Sequence, residues 1–100
     1  MKIDFSQPIL DLSGKPCKGA SGEDSSLSSI CVEALLLNFP GEENLSKVEK
    51  LKRGKLAEKV YNQAEIDVSV EDAALLQTLI AKAYGPLVVL RADAMLEGGK

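Results

Sequence analysis

The chain has 100 residues, 45% hydrophobic and 27% charged, with net charge -3 and no histidine. That length and balance fit one domain with an aliphatic core, and they exclude both a disordered polyelectrolyte and a chain long enough for two domains. The missing histidine removes the commonest proton-transfer residue near neutral pH and the commonest metal ligand.

The opening shows no signal-peptide pattern, because Asp4, Pro8 and Asp11 interrupt its apolar residues. The densest apolar run, residues 30–37, contains Glu33 and falls far short of the roughly 20 residues needed to span a bilayer. The expectation is a soluble, cytoplasmic protein with no membrane association, whose Cys17 and Cys31 stay reduced. A disulfide between them requires an oxidising compartment. Two cysteines without histidine do not complete an ordinary zinc site. Cys31, in an apolar stretch, reads as a small buried hydrophobe.

Ile3 and Phe5 alternate with Asp4 and Ser6 at the period of a strand. Ser13-Gly14 before Lys15-Pro16 is a turn signal, so a β-hairpin is expected with arms at 8–12 and 15–18, and with 3–5 alongside. Residues 19–26 read as a polar loop, with Ser25 or Ser26 capping a first helix. That helix carries Leu27, Ile30, Cys31, Ala34 and Leu35 at spacings of three and four, with Leu36 and Leu37 on other faces. It ends at the Asn38-Phe39-Pro40-Gly41 breaker.

Ser46 and Glu49 form a capping-box pattern that starts a second helix, expected to run to about Gln63. Leu56, Ala57, Val60, Tyr61 and Ala64 should face the core. Gly54 lies mid-helix, which points to close approach of another helix or to simple tolerance. Ser69 caps a third helix with Glu71 and Asp72 in its first turn and Val68 placed to staple onto Ala73. Gly85-Pro86 separates it from residues 86–97, which read as a fourth helix with Val88-Val89-Leu90 also compatible with a strand. No sequence repeat is visible. The expected fold is α+β, a small N-terminal β-hairpin packed against three or four helices in a single domain over residues 1–100.

The strongest chemical signal is charge. Residues 47–59 hold Lys47, Lys50, Lys52, Arg53, Lys55 and Lys59 against Glu49 and Glu58, so this segment carries +4 and the rest of the chain -7, for the total of -3. Lys52, Lys55 and Lys59 align on one helical face. With Arg53 they are the candidate partner-binding residues, for an acidic protein surface or nucleic acid phosphates; the alternative is a merely solvated face. Sequence-specific DNA reading is disfavoured, because Glu71 and Asp72 open the helix that would enter the groove. The overall acidity, with a pI near 4.9, also counts against nucleic acid as the main partner.

No catalytic set emerges. Gly14 and Gly19 lack the lysine that a phosphate loop needs after the second glycine. Serines 25, 26, 28 and 29 have no base to activate them, and Cys17 near Lys15 and Lys18 has none either. The pairs Glu23-Asp24, Glu42-Glu43 and Glu71-Asp72 suit loops and a helix start rather than general acid–base work. Neither an enzyme, a cofactor nor a metal is expected. Leu36, Leu37, Val88 and Val89 exceed what one small core must hide, which makes them candidate contacts in a homodimer.

The opening MKIDFSQPILDLSGKPCK and the later stretch KLKRGKLAEKVYNQAEIDVSVEDAALLQTLIAKAYGPLVV carry a recognisable outline. It consists of a D-L-x-G-K-P start, a middle helix, and an acid-capped helix ending near a proline. In this the chain resembles a group of small accessory proteins of tailed bacteriophages and prophages. The resemblance implies a compact phage-type accessory protein in a bacterial cytoplasm, working on a phage or host protein as an assembly helper or modulator. It supplies no catalytic residues.

Overall fold

A computed structural model describes residues 2–19 and 22–97. Its elements in chain order are β1 (Lys2–Asp4), α1 (Leu27–Leu36), α2 (Lys47–Val60), β2 (Glu65–Asp67), α3 (Val70–Ala83) and α4 (Pro86–Leu96). The fold is α+β, as composition and pattern require. Helix α1 lies between α2 and α3, α4 packs on α3, and β1 pairs antiparallel with β2 in the register Ile3 to Ile66. Phe5, Ile9, Leu27, Val60, Leu76 and Ile80 are among the side chains sealed at the centre. Each such burial contributes about 1.5–3 kcal/mol. No helix among the described residues is long and apolar enough to cross a membrane.

The N-terminal region departs from a simple hairpin. The expected pairing of 8–12 with 15–18 is present, as a Leu10–Pro16 bridge and an Asp11 N–H bond to Lys15 O of 2.8 Å. It is one side of a triangle. Cys17 N–H donates to Ile9 O (2.7 Å), Ser25 N–H to Cys17 O (2.7 Å) and Ile9 N–H to Ser25 O (2.9 Å), so three segments satisfy one another in a ring. Two residues further on, Asp11 donates to Lys15, Gly19 to Glu23 and Leu27 to Gln7, closing three equivalent corners. The result is an eight-residue structural repeat, echoed in the sequence by Pro8 and Pro16 and by the Ser-Gly pairs at 13–14 and 21–22; Gly14 and Gly22 are the positions whose backbone requires glycine. Both adopt φ near +87°, at +89° and +85°, where a side chain is strained. The third corner has no turn; the chain enters there at Gln7 and leaves into α1 at Leu27.

This corner also caps α1. A helix leaves its first N–H groups without intrahelical partners. Here Leu27 N–H donates to Gln7 O (2.9 Å), Ser28 N–H to Phe5 O (2.8 Å) and Ser29 N–H to the Ser26 hydroxyl (3.1 Å), while Ser29 Oγ receives the Ser26 N–H (2.9 Å). From the opposite side, Arg91 of α4 donates through Nε to Leu10 O (3.0 Å) and through Nη2 to Asp11 O (3.2 Å), binding the first corner to the helices.

Two further expectations change, and the alternatives at Gly54 narrow to one. Residues 3–5 were expected beside the hairpin, but Lys2–Asp4 pairs instead with Glu65–Asp67, a strand whose short alternation of Ala64, Ile66 and Val68 with Glu65 and Asp67 lies in the link between α2 and α3. Helix α2 ends at Val60 rather than near Gln63, because Asn62 turns the backbone at φ 52°; Tyr61 and Ala64 are consequently exposed. Gly54 has no close neighbour: a Cβ built there would meet nothing within 4 Å. The fourth element is helix over Pro86–Leu96, with Glu97 as its C-cap, and the cap residue for α1 is Ser26.

Ser28 is the buried polar group on which these turns converge. It is 5% exposed, donates from Oγ to Val60 O (2.8 Å) and accepts from Asn62 N–H (2.9 Å). Ser28→Ala leaves the partly buried Asn62 N–H without this acceptor and Val60 O with the longer bond from Gln63 N–H (3.3 Å). The expected cost is about 1–3 kcal/mol in chemical denaturation, against less than about 0.5 kcal/mol for Ser13→Ala at the exposed first corner.

Candidate functional site

The basic segment forms α2, started by Ser46, whose hydroxyl accepts from Glu49 N–H at 3.1 Å. The reciprocal half of the expected capping box is not made. Glu49 turns instead toward Arg53, with Oε1 3.8 Å from Nε. A helix rotates about 100° per residue, and that rotation divides the cations of α2 between two jobs.

Arg53 points inward with Leu56, Ala57 and Val60, and is only 7% exposed. Its Nη1 and Nη2 grip Glu42 Oε1 and Oε2 at 2.8 and 3.0 Å, the bidentate geometry in which arginine pairs best with carboxylate. Lys82 of α3 reaches the same carboxylate at 3.6 Å and lies 5.7 Å from the centre of the Phe39 ring. Glu42 therefore ties α2 to α3 through the loop after α1. Arg53, expected among the partner-binding cations, is a structural residue: burial and a committed carboxylate withdraw it from solvent.

Lys52, Lys55 and Lys59 are exposed on the opposite side, as their spacing requires, with Lys47 and Lys50 beside them. Among the described residues no acid lies within ion-pair distance of these five lysines. Between them stand two apolar side chains, Val48 (76% exposed) and Leu51 (49%). Periodicity would have shown both, since they fall outside the core-facing row of α2, but attention to charge alone passes over them.

The surface around them is recessed. One groove of about 460 Å³ is bordered by Val48, Leu51, Lys52, Lys55, Lys59 and Asp72 of α3. A second, of about 640 Å³, lies between the end of α1 and α2, with Leu36, Leu37, Lys50 and Gly54 on its walls. A third hollow is bordered by Lys50 and Gly54, which it shares with the groove beside α1, and by Leu51 and Lys55, which it shares with the groove beside Asp72. Glu58 and Asp72 are the acids facing the basic part of this recessed surface.

Of the four residues expected at a homodimer contact, Leu36 and Leu37 are exposed (61% and 44%). Val88 and Val89 are half-buried against the core instead, because α4 turns that side toward α3; the exposed residue of the run is Leu90. Cys31 is buried, and burial pushes its thiol up to about 12, while Cys17 packs partly against the core; both are free thiols. Tyr84 donates its hydroxyl to Glu33 Oε2 at 2.8 Å, and burial, then that bond, raises its pKa. No group of three metal-binding side chains occurs among the described residues.

No protein-family model, curated protein or solved structure matches the chain, so the meaning of this face rests on its own chemistry.

The Glu42–Arg53 pair carries a pH dependence. The Arg53 guanidinium, followed by the weaker pull of Lys82, holds the Glu42 carboxyl below its ordinary value. A depressed carboxyl contributes stability that is complete above its unfolded pKa and is lost as pH falls through the folded value. Thermal midpoints should therefore decline on acidification below about pH 4.3, the ordinary glutamate value. Glu42→Gln should be less stable at pH 7 and show a flatter decline over the same acid range.

Proposed function

We propose that the protein is a non-enzymatic interaction module of the phage or prophage accessory type, which docks a phage or host protein on the outer face of α2. The observation that carries this reading is the grouping of exposed Val48 and Leu51 with Lys52, Lys55 and Lys59 around one groove of α2. Exposed apolar side chains rimmed by charge mark contact surfaces, because the apolar part gains by leaving water while the charges select the partner. The phage assignment is supported by the resemblance of residues 1–18 and 50–89 to that group. A cytoplasmic site of action belongs to the same proposal, as does a homodimer through Leu36 and Leu37.

Nucleic acid is the second reading. Tyr61, two residues after Lys59 at the end of α2, is 60% exposed, and an exposed aromatic on a basic segment can stack a base. The net charge of -3 and the apolar centre of the face weigh against it.

A tagged pull-down from bacterial lysate, with and without nuclease, separates the two. The wild type is expected to retain the same protein under both conditions, and Lys52→Glu/Lys55→Glu/Lys59→Glu to lose it. Retention of nucleic acid that vanishes with nuclease, and whose affinity falls steeply with salt, would replace the first reading by the second.

A further inference from the structure

Resting on the reading of α2 as a docking face, we infer that its occupant is an acidic amphipathic helix that crosses α2 at Gly54. Charge complementarity sets the first requirement. Lys47, Lys50, Lys52, Lys55 and Lys59 have no acid within ion-pair distance among the described residues. Glu58 and Asp72 border the basic side of the recess, and Glu42 and Glu43 the groove beside α1, where Glu42 is already held by Arg53 and Lys82. A partner presenting carboxylates is attracted from a distance to the lysine side.

The apolar centre sets the second. Val48 and Leu51 are three residues apart and form a short ridge along the helix. Such a ridge is matched by apolar side chains of a partner helix that repeat at three and four residues. An extended segment has nothing to pair with here, since the N–H and C=O groups in the body of α2 are bonded within the helix. A phosphate backbone would leave the two apolar groups in an unrewarding environment.

Gly54 locates the crossing. It lies on the wall of the groove beside α1 and also in the hollow bordered by Leu51. The space its Cβ would fill is empty to 4 Å, and its φ is not in the left-handed region. A glycine in a helix interior costs about 1 kcal/mol relative to alanine. Nothing inside the fold needs it. The missing side chain lets a partner's large apolar residue enter a notch between the Leu36–Leu37 end of α1 and Leu51.

The test is selection of a random library of peptides about 16 residues long, long enough for a helix to form on binding, on the immobilised full chain. Enriched peptides are then titrated by fluorescence polarisation against wild type, Gly54→Leu, Gly54→Ala and Leu51→Glu. The expected winners are net acidic, carry apolar residues at i, i+3 and i+4, and gain helical circular dichroism on binding. Gly54→Leu and Leu51→Glu should bind them about tenfold more weakly, the loss typical of an interface anchor. The glycine variants should fold, because a side chain there meets open space and improves helix propensity; their thermal midpoints should equal or exceed the wild-type value.

Winners that depend on Lys52, Lys55 and Lys59 but lack helical period, or that bind Gly54→Leu unchanged, would overturn the crossing helix and leave the docking face standing. Winners indifferent to the lysines, or no winners beside tight binding of a single-stranded oligonucleotide, would overturn both. Self-association abolished by Leu51→Glu would place a second copy on the face and overturn the acidic helix.

Discussion

One hydroxyl holds three parts of this fold in register. Ser28 sits in the first turn of α1, with its N–H on Phe5 O and its Oγ between Val60 O and Asn62 N–H. Those contacts fix the exit of β1, the start of α1 and the end of α2 around a single buried point. Phe5 N–H then reaches Ala64 O at 2.8 Å, which delivers the chain to β2 beside β1. Two three-residue strands among the described residues supply few ladder bonds to organise the fold. Buried backbone groups must still find partners, and here a side chain and a three-segment ring supply them.

The ring explains why the N-terminal region is ordered without a sheet. Each of Ile9, Cys17 and Ser25 donates to one neighbour and accepts from the other. An isolated hairpin of this size is marginal in water. Closing three segments on one another, and capping the result with Arg91 from α4, removes the open edge that a lone hairpin would present. In return, the ring satisfies the first N–H groups of α1, so the corner and the central helix stabilise each other.

Electrostatics then separates structure from surface within one helix. Arg53 and Lys52 are adjacent in sequence, yet the rotation between them places one against Glu42 and the other in solvent. The Arg53–Glu42–Lys82 cluster stabilises the arrangement of α2, the loop after α1 and α3. Tied down on that side, α2 holds its outer lysines and its exposed Val48 and Leu51 in a fixed arrangement. Preorganisation of this kind is what a docking face requires, since side chains already positioned lose less freedom on binding.

Local patterns determined the α+β class, all four helices, the caps Ser46 and Ser69, and the row of Lys52, Lys55 and Lys59, because each depends on residues within one or two helical turns. The same local logic made Cys31 a buried hydrophobe. Only tertiary structure decided the partner of β1, the three-cornered ring, the early end of α2, and the inward role of Arg53. In each case the deciding contact joins residues far apart in the chain, as Ile3 with Ile66, Arg91 with Leu10, or Ser28 with Val60. Sequence periodicity reports which face of an element is apolar; it does not report which distant carbonyl or carboxylate waits opposite a given polar group. That is why Arg53 and its lysine neighbours read alike in the sequence and differ in the fold.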